Sequence, residues 1–136
     1  MTESTIHASD IQQAQARISS EIAPTPLQYC PRLSAETGCE VYLKREDLQD
    51  VRSYKIRGAL NSISSLSQQE RERGIVTASA GNHAQGVAYA CRTMGIPGKI
   101  FVPEPTPMHS TRCPGSRVSA CRARVIGRAT FSAAVR

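Results

Sequence analysis

No stretch of this 136-residue sequence approaches the roughly 20 consecutive apolar residues of a membrane-spanning helix, so no membrane partner is expected. The first ten residues, Met1 to Asp10, are polar, carry acids and lack the apolar centre of a signal peptide. A cytoplasmic location is therefore expected. The five cysteines, Cys30, Cys39, Cys91, Cys113 and Cys121, are odd in number and nowhere spaced as CxxC. They read as reduced thiols, with no structural metal. No internal repeat is visible. The last thirty residues, Pro107 to Arg136, contain no acid and no lysine, yet they carry six arginines. From Met1 to Thr106 eleven basic residues balance eleven acids, so the whole net charge of +6 belongs to that tail. A charge break of this kind differs from the basic face of a nucleic-acid binder. The tail also lacks the interleaved aromatics of a single-strand binder, and no nucleic-acid partner is expected.

The length suffices for one modest domain with a real core. Ser9-Asp10 can cap a helix through Ile11, Ala14 and Ile18. Pro24 and Pro26 keep the next segment extended. A short helix around Leu33–Thr37 stops at Gly38, and Glu40–Lys44 alternates like a strand. Lys55–Leu66 places Ile56, Ala59, Leu60 and Ile63 on one helical face, followed by polar surface over Gln68–Arg73. Ile75–Ala78 is a short buried strand, Ser79–His83 a turn, Ala84–Met94 an apolar-striped helix and Lys99–Pro103 a second strand. Strand, helix and strand joined by short connections form a βαβ unit of a parallel sheet. The fold class is therefore α/β, a partial parallel sheet flanked by helices. After Pro107 no period is legible, and only Ala123–Ile126 and Ala129–Val135 have any structural potential.

Two short segments could carry chemistry. Ser53-Tyr54-Lys55-Ile56-Arg57-Gly58-Ala59 puts a lysine at a helix start, where free N–H groups give positive potential. That setting suits an anionic cofactor, and a neutral lysine amine condenses with an aldehyde. A surface lysine lying beside a helix explains the same residues. Ser79-Ala80-Gly81-Asn82-His83 lies where a strand's carboxyl end meets a helix N-terminus, the usual ligand position in open α/β sheets. Ser79 and Asn82 can donate hydrogen bonds, Gly81 permits close approach, and the helix N–H groups favour a carboxylate or phosphate. Ordinary turn and cap chemistry is the plainer alternative. His83 has no visible partner in sequence, so a structural or hydrogen-bonding role fits it better than that of a general base.

Taken together, Tyr42-Leu43-Lys44-Arg45-Glu46-Asp47-Leu48, then Ser53–Ala59, then Thr77-Ala78-Ser79-Ala80-Gly81-Asn82-His83-Ala84-Gln85-Gly86, resemble threonine dehydratase. That enzyme belongs to the β-family (fold type II) of pyridoxal-phosphate enzymes. Thr25-Pro26-Leu27 and Val102-Pro103 extend the likeness, which runs from about Ile22 to Pro107. Serine dehydratase, serine racemase and threonine synthase are related readings. The resemblance implies pyridoxal 5'-phosphate as cofactor and an amino acid as substrate. It implies deamination of L-threonine to 2-oxobutyrate and ammonia in isoleucine biosynthesis, and homo-oligomers among family members. By residue, Lys55 would be the catalytic, cofactor-attaching lysine, and Asn82 would bind the cofactor's phenolic oxygen. Ser79, Ala80, Gly81, Asn82 and His83 would hold the substrate carboxylate.

The family's glycine-rich phosphate cradle has no counterpart in these residues. Residues 1–107 are thus read as the N-terminal part of a cofactor-dependent catalytic domain, and 108–136 as a divergent arginine-rich tail. Met108–Ser116 departs from the family pattern, while Val125-Ile126-Gly127 and Thr130–Ala134 return to it. The combination reads as an out-of-frame stretch restored near Val125. The 136 residues alone are expected to be inactive, with the apolar faces of the Lys55–Leu66 and Ala84–Met94 helices partly exposed for want of cover.

Overall fold

The computed structural model describes residues 5–104 and the backbone of residues 118–123. Helix α1, Ala8–Ile18, begins one residue before the expected caps. His7 donates its N–H to the Asp10 carboxylate at 2.8 Å, so Asp10 serves from the first turn and not from the cap position. Ile18 is buried, but Ile11 stays 61% exposed, so only part of the apolar stripe is used.

The two prolines deliver an extended segment that becomes strand β1, Leu27–Tyr29. It pairs antiparallel with β2, Tyr42–Lys44, with Tyr29 opposite Tyr42. Helix α2, Pro31–Thr37, lies between them and stops at Gly38, whose φ is +70°. The sequence pattern anticipated β2 but not its partner. Three residues beside two prolines hold too little alternation to read as a strand.

A 3-10 turn, Glu46–Leu48, leads toward helix α3, Lys55–Ser64. Helix α4, Gln68–Arg73, forms where only polar surface was expected. Ser67 and Glu70 cap it reciprocally, the signature of a six-residue helix with no buried face. Gly74 follows with φ +85°; a Cβ there would lie 2.8 Å from the Pro97 carbonyl oxygen. Strand β3, Ile75–Ala78, helix α5, Asn82–Thr93, and strand β4, Gly98–Pro103, form the expected unit. β3 and β4 are parallel, with Ile75 opposite Gly98 and Ala78 opposite Phe101. Asn82 and His83 are helical, so the turn between β3 and α5 is shorter than the sequence implied.

Strand β5, Val118–Ala123, extends the sheet in the order β3-β4-β5, parallel to β4. This corrects the reading of the tail as structureless up to residue 122. The parallel pairing comes from β4's open edge, which the local pattern could not reveal. The proposed segments at 124–126 and 129–135 lie outside the described residues.

α5 is covered on two sides. Val87, Ala90 and Cys91 pack with Ile56, Leu60 and Ile63 of α3, and with Ile18, Ile22, Ile75 and Ile96. Ala84 and Ala88 pack on Ile100 and Val102 of β4. The expectation that the faces of α3 and α5 would be exposed is therefore wrong, because the two helices cover each other. Exposed apolar surface lies instead on the β1–β2 ribbon at Leu27, Tyr29, Tyr42 and Leu43, and at Val76 of β3. Burial pushes the Cys91 thiol up to about 11, so that sulfur is a core atom and not a reactive one. No helix among the described residues is long and apolar enough to cross a membrane.

Candidate active site

Lys55 is the first residue of α3, half-buried, with its Nζ 4.9 Å from the centroid of the exposed Tyr54 ring. Tyr54 caps the helix without a side-chain hydrogen bond, so the first N–H groups of α3 have no side-chain cap. Immediately before it, the Ser53 hydroxyl is buried and has no hydrogen-bond partner among the described residues. An orphaned buried hydroxyl is costly unless something else satisfies it.

Two residues after Lys55, the Arg57 guanidinium makes a paired contact with Glu46, Nε to Oε2 at 2.8 Å and NH2 to Oε1 at 2.7 Å. Thr25 donates its hydroxyl to the same carboxylate at 2.5 Å, and the Lys44 ammonium donates to the Thr25 carbonyl. Three sequence fragments that look unrelated by spacing, at Thr25, Lys44–Glu46 and Arg57, thus meet in one charged network. The Arg57 guanidinium, with Thr25 and Lys44 behind it, holds the Glu46 carboxyl down at about 2, well below its ordinary 4.5. The folded pKa is depressed, so the pair's stabilisation is complete above about 4.5 and is lost as pH falls toward about 2. Melting temperature should therefore fall across that window in the unaltered protein and fall less in Glu46→Gln. Parallel melting curves for the two proteins would refute the pairing.

The second segment is built at the other helix start. Ser79 continues the β3–β4 ladder, its N–H bonded to the Phe101 carbonyl at 3.0 Å. The Ser79 hydroxyl oxygen accepts the Gly81 N–H at 3.3 Å, which leaves its own proton free to donate. Gly81 is the N-cap of α5 and offers no side chain to it. Gln85 returns to the Gly81 carbonyl, and the N–H groups of Asn82, His83 and Ala84 precede the first intrahelical donor. Ala80, Gly81 and Asn82 are exposed, and among the described residues, chain neighbours aside, no atom lies within 4 Å of where a Gly81 Cβ would stand. Among the described residues, the open space, the uncapped N–H groups and the positive end of a twelve-residue helix make this turn chemically suited to an anion.

The two segments are brought together by Gly86. A Cβ on it would fall 3.0 Å from the Lys55 carbonyl oxygen, 3.1 Å from its carbon and 3.2 Å from the Ile56 nitrogen. α5 therefore rests directly on the Lys55 peptide. Asn82 lies four residues earlier on the same helical face, about 6 Å along the axis. His83 faces elsewhere: it lines a cavity of about 90 Å³ with Gly58, Ser62 and Thr77, between α3 and β3. The buried Thr77 hydroxyl lines the same cavity and has no hydrogen-bond partner among the described residues.

A lysine at one helix start, two residues after an orphaned buried hydroxyl and packed through its peptide against the helix that opens with a donor-bearing turn, fits a group that presents an aldehyde and anionic oxygens. Sequence reasoning missed Glu46, Arg57 and Gly86. The ion pair had no local signal, since its partners are eleven residues apart with no shared period. Gly86 did carry one. A glycine inside a helix costs about 0.5–1 kcal/mol against alanine, so it marks a close approach.

The sequence model of the family described as pyridoxal-phosphate dependent enzymes matches residues 18–130. The chain is similar to the biosynthetic L-threonine dehydratase of Corynebacterium glutamicum, at 74% identity over 102 residues. That match covers 75% of this chain and 23% of the relative, so the chain spans about a quarter of the length of the curated relative. Among solved structures it is similar to the serine racemase of Dictyostelium discoideum, with TM-score 0.78 and 37% identity over 86% of this chain and 39% of that one. It is also similar to the processed form of threonine deaminase isoform 2 from Solanum lycopersicum, with TM-score 0.68 and 35% identity over 90% of this chain and 38% of that one.

Proposed function

The chain belongs to the family of pyridoxal-phosphate dependent enzymes, and on that premise we propose that it supplies the lysine and the carboxylate-binding turn of a threonine ammonia-lyase. The carrying observation is the contact of α5 with the Lys55 peptide at Gly86, which packs the helix that starts at Lys55 against the helix that opens at the Ser79–His83 turn.

Pyridoxal phosphate, when bound, draws electron density away from the substrate's Cα. Lys55 Nζ would be the amine that holds this group and the base positioned to take the Cα proton. The Asn82 amide would hold the cofactor through its phenolic oxygen. The Ser79 hydroxyl and the N–H groups of the Ala80–His83 segment hold the substrate carboxylate, which fixes the Cα–H bond toward the lysine. The β-hydroxyl leaves as water, one water is taken up again, and the products are 2-oxobutyrate and ammonia. The name of the Corynebacterium relative supports a biosynthetic role, and isoleucine formation in the cytoplasm is the setting proposed. Likeness to a serine racemase favours a second reading, a serine-acting enzyme. Turnover of threonine against serine, with a chiral assay for inverted serine, separates the two.

The test of the lysine assignment is borohydride reduction of the full-length cofactor-loaded protein that carries these residues, followed by peptide mapping. Label belongs on Lys55; label on Lys44 or Lys99 refutes the assignment. A polypeptide of these 136 residues alone is expected to show no stoichiometric cofactor binding and no 2-oxobutyrate formation. A cofactor phosphate of about two negative charges needs several converging donors, and the α5 turn is assigned to the substrate. Saturable binding at one cofactor per chain would overturn that expectation.

Residues 1–107 and 108–136 are proposed as two parts, a catalytic-domain segment and a tail read partly out of frame. The family match runs on through residue 130. Reading the encoding nucleotides in three frames across Pro107–Gly127 decides the matter. A second frame that encodes a closer family match supports the shift, and its absence removes it.

A further inference from the structure

We propose that Gly86 and the Glu46–Arg57 pair are positioning residues that clamp the first turn of α3 from two sides and so set where the Lys55 amine stands. The inference rests on the reading of Lys55 as the cofactor-attaching lysine.

The first arm is steric. The three atoms a Gly86 Cβ would meet, at 3.0, 3.1 and 3.2 Å, are all backbone atoms of Lys55 and Ile56. No side-chain rotation relieves such a contact. An alanine there separates α5 from α3 by a few tenths of an ångström, and the displaced atoms are those that carry the lysine. Asn82, one turn back on the same face, moves with α5. The distance between lysine and turn is thus set by the absence of one methyl group.

The second arm is electrostatic. Successive residues on a helix are separated by about 100°, so Arg57 projects about 200° around α3 from Lys55. A guanidinium held by two parallel hydrogen bonds resists rotation of the helix about its axis. Its carboxylate is fixed in turn by the Thr25 hydroxyl, and only 14% of the Glu46 side chain is exposed. Gly86 fixes how far α3 stands from α5, and Arg57 fixes how far it has turned. Leu60 and Ile56 bury the helix but tolerate sliding, because dispersion contacts have no direction.

The experiment uses the full-length cofactor-loaded protein that carries these residues, unaltered and as Gly86→Ala, Glu46→Gln and Glu46→Asp. Four quantities are read: the cofactor dissociation constant, the yield of borohydride label on Lys55, kcat and KM for threonine, and the melting temperature of the cofactor-free form. Gly86→Ala and Glu46→Gln should each weaken cofactor binding and lower kcat on the order of tenfold, given that an ångström of misplacement costs about a hundredfold. KM should change little, and the cofactor-free melting temperature less than binding implies. Glu46→Asp should recover part of the label yield. Label on a lysine other than Lys55 in the unaltered protein sinks the cofactor-lysine reading itself, whatever the variants do. With Lys55 labelled, unchanged binding in both variants overturns the clamp. Losses that merely follow melting temperature, or failure of both variants to fold, overturn it as well, since the residues would then serve folding alone.

Discussion

Replacing Lys55 with alanine in the full-length protein that carries these residues is expected to abolish both the borohydride label and threonine turnover. On the proposed role of Lys55, loss of a proton-accepting amine alone removes on the order of 10²–10⁴-fold in rate, and the proposed covalent anchor goes with it. Fold should survive. Lys55 is half-buried, its nitrogen lies 4.9 Å from the centroid of the Tyr54 ring, and among the described residues it is not part of the apolar core. Circular dichroism and melting temperature should stay close to the unaltered protein while 2-oxobutyrate formation falls to background. Arginine at the same position keeps the charge but cannot condense with an aldehyde, so Lys55→Arg should be equally inactive. Retention of even a tenth of the turnover in either variant would show that another group does the chemistry.

The largest effect on stability is expected at the opposite face of the same helix. Leu60 is wholly buried, between α5 and the isoleucines of α1, β3 and the α1–β1 connection. Leu60→Ala removes its transfer free energy and leaves a cavity in a close-packed site, a loss of about 2–5 kcal/mol. Against a typical total of about 5–15 kcal/mol, this is enough to populate the unfolded state. Ser62→Ala, two residues on and exposed, should change stability by no more than about 0.5 kcal/mol. Urea midpoints at constant slope measure both. Equal midpoints for the two variants would mean that α3 does not pack on α5 as described.

These two residues also show where local information suffices. The apolar spacing Ile56, Ala59, Leu60, Ile63 identifies the buried face of α3 without any tertiary knowledge, and the structure buries all four. Helical period is a property of the backbone, so composition alone exposes it. The βαβ unit was legible for the same reason: short apolar strands, an alanine-rich helix and glycines at the joints each speak locally. Helix α4 was legible in principle, through Ser67 and Glu70 at capping distance, and was overlooked because its six residues bury nothing. Strand β5 was not legible, because its six residues carry no alternation and owe their conformation to the open edge of β4.

Sequence alone thus determined the fold class, and the family through three ordered motifs, and it picked out the lysine at one helix start and the Ser79–His83 turn at another, because each of those segments is short and local. Tertiary structure decided everything that joins them. It placed Gly86 on the Lys55 peptide across thirty-one positions of sequence, and it drew Thr25, Glu46 and Arg57 into one charged cluster. It also hid the faces of α3 and α5 against each other and left the β1–β2 ribbon uncovered instead. Distance through space between segments far apart in the chain is set by how their surfaces pack. No local period or cap encodes that distance.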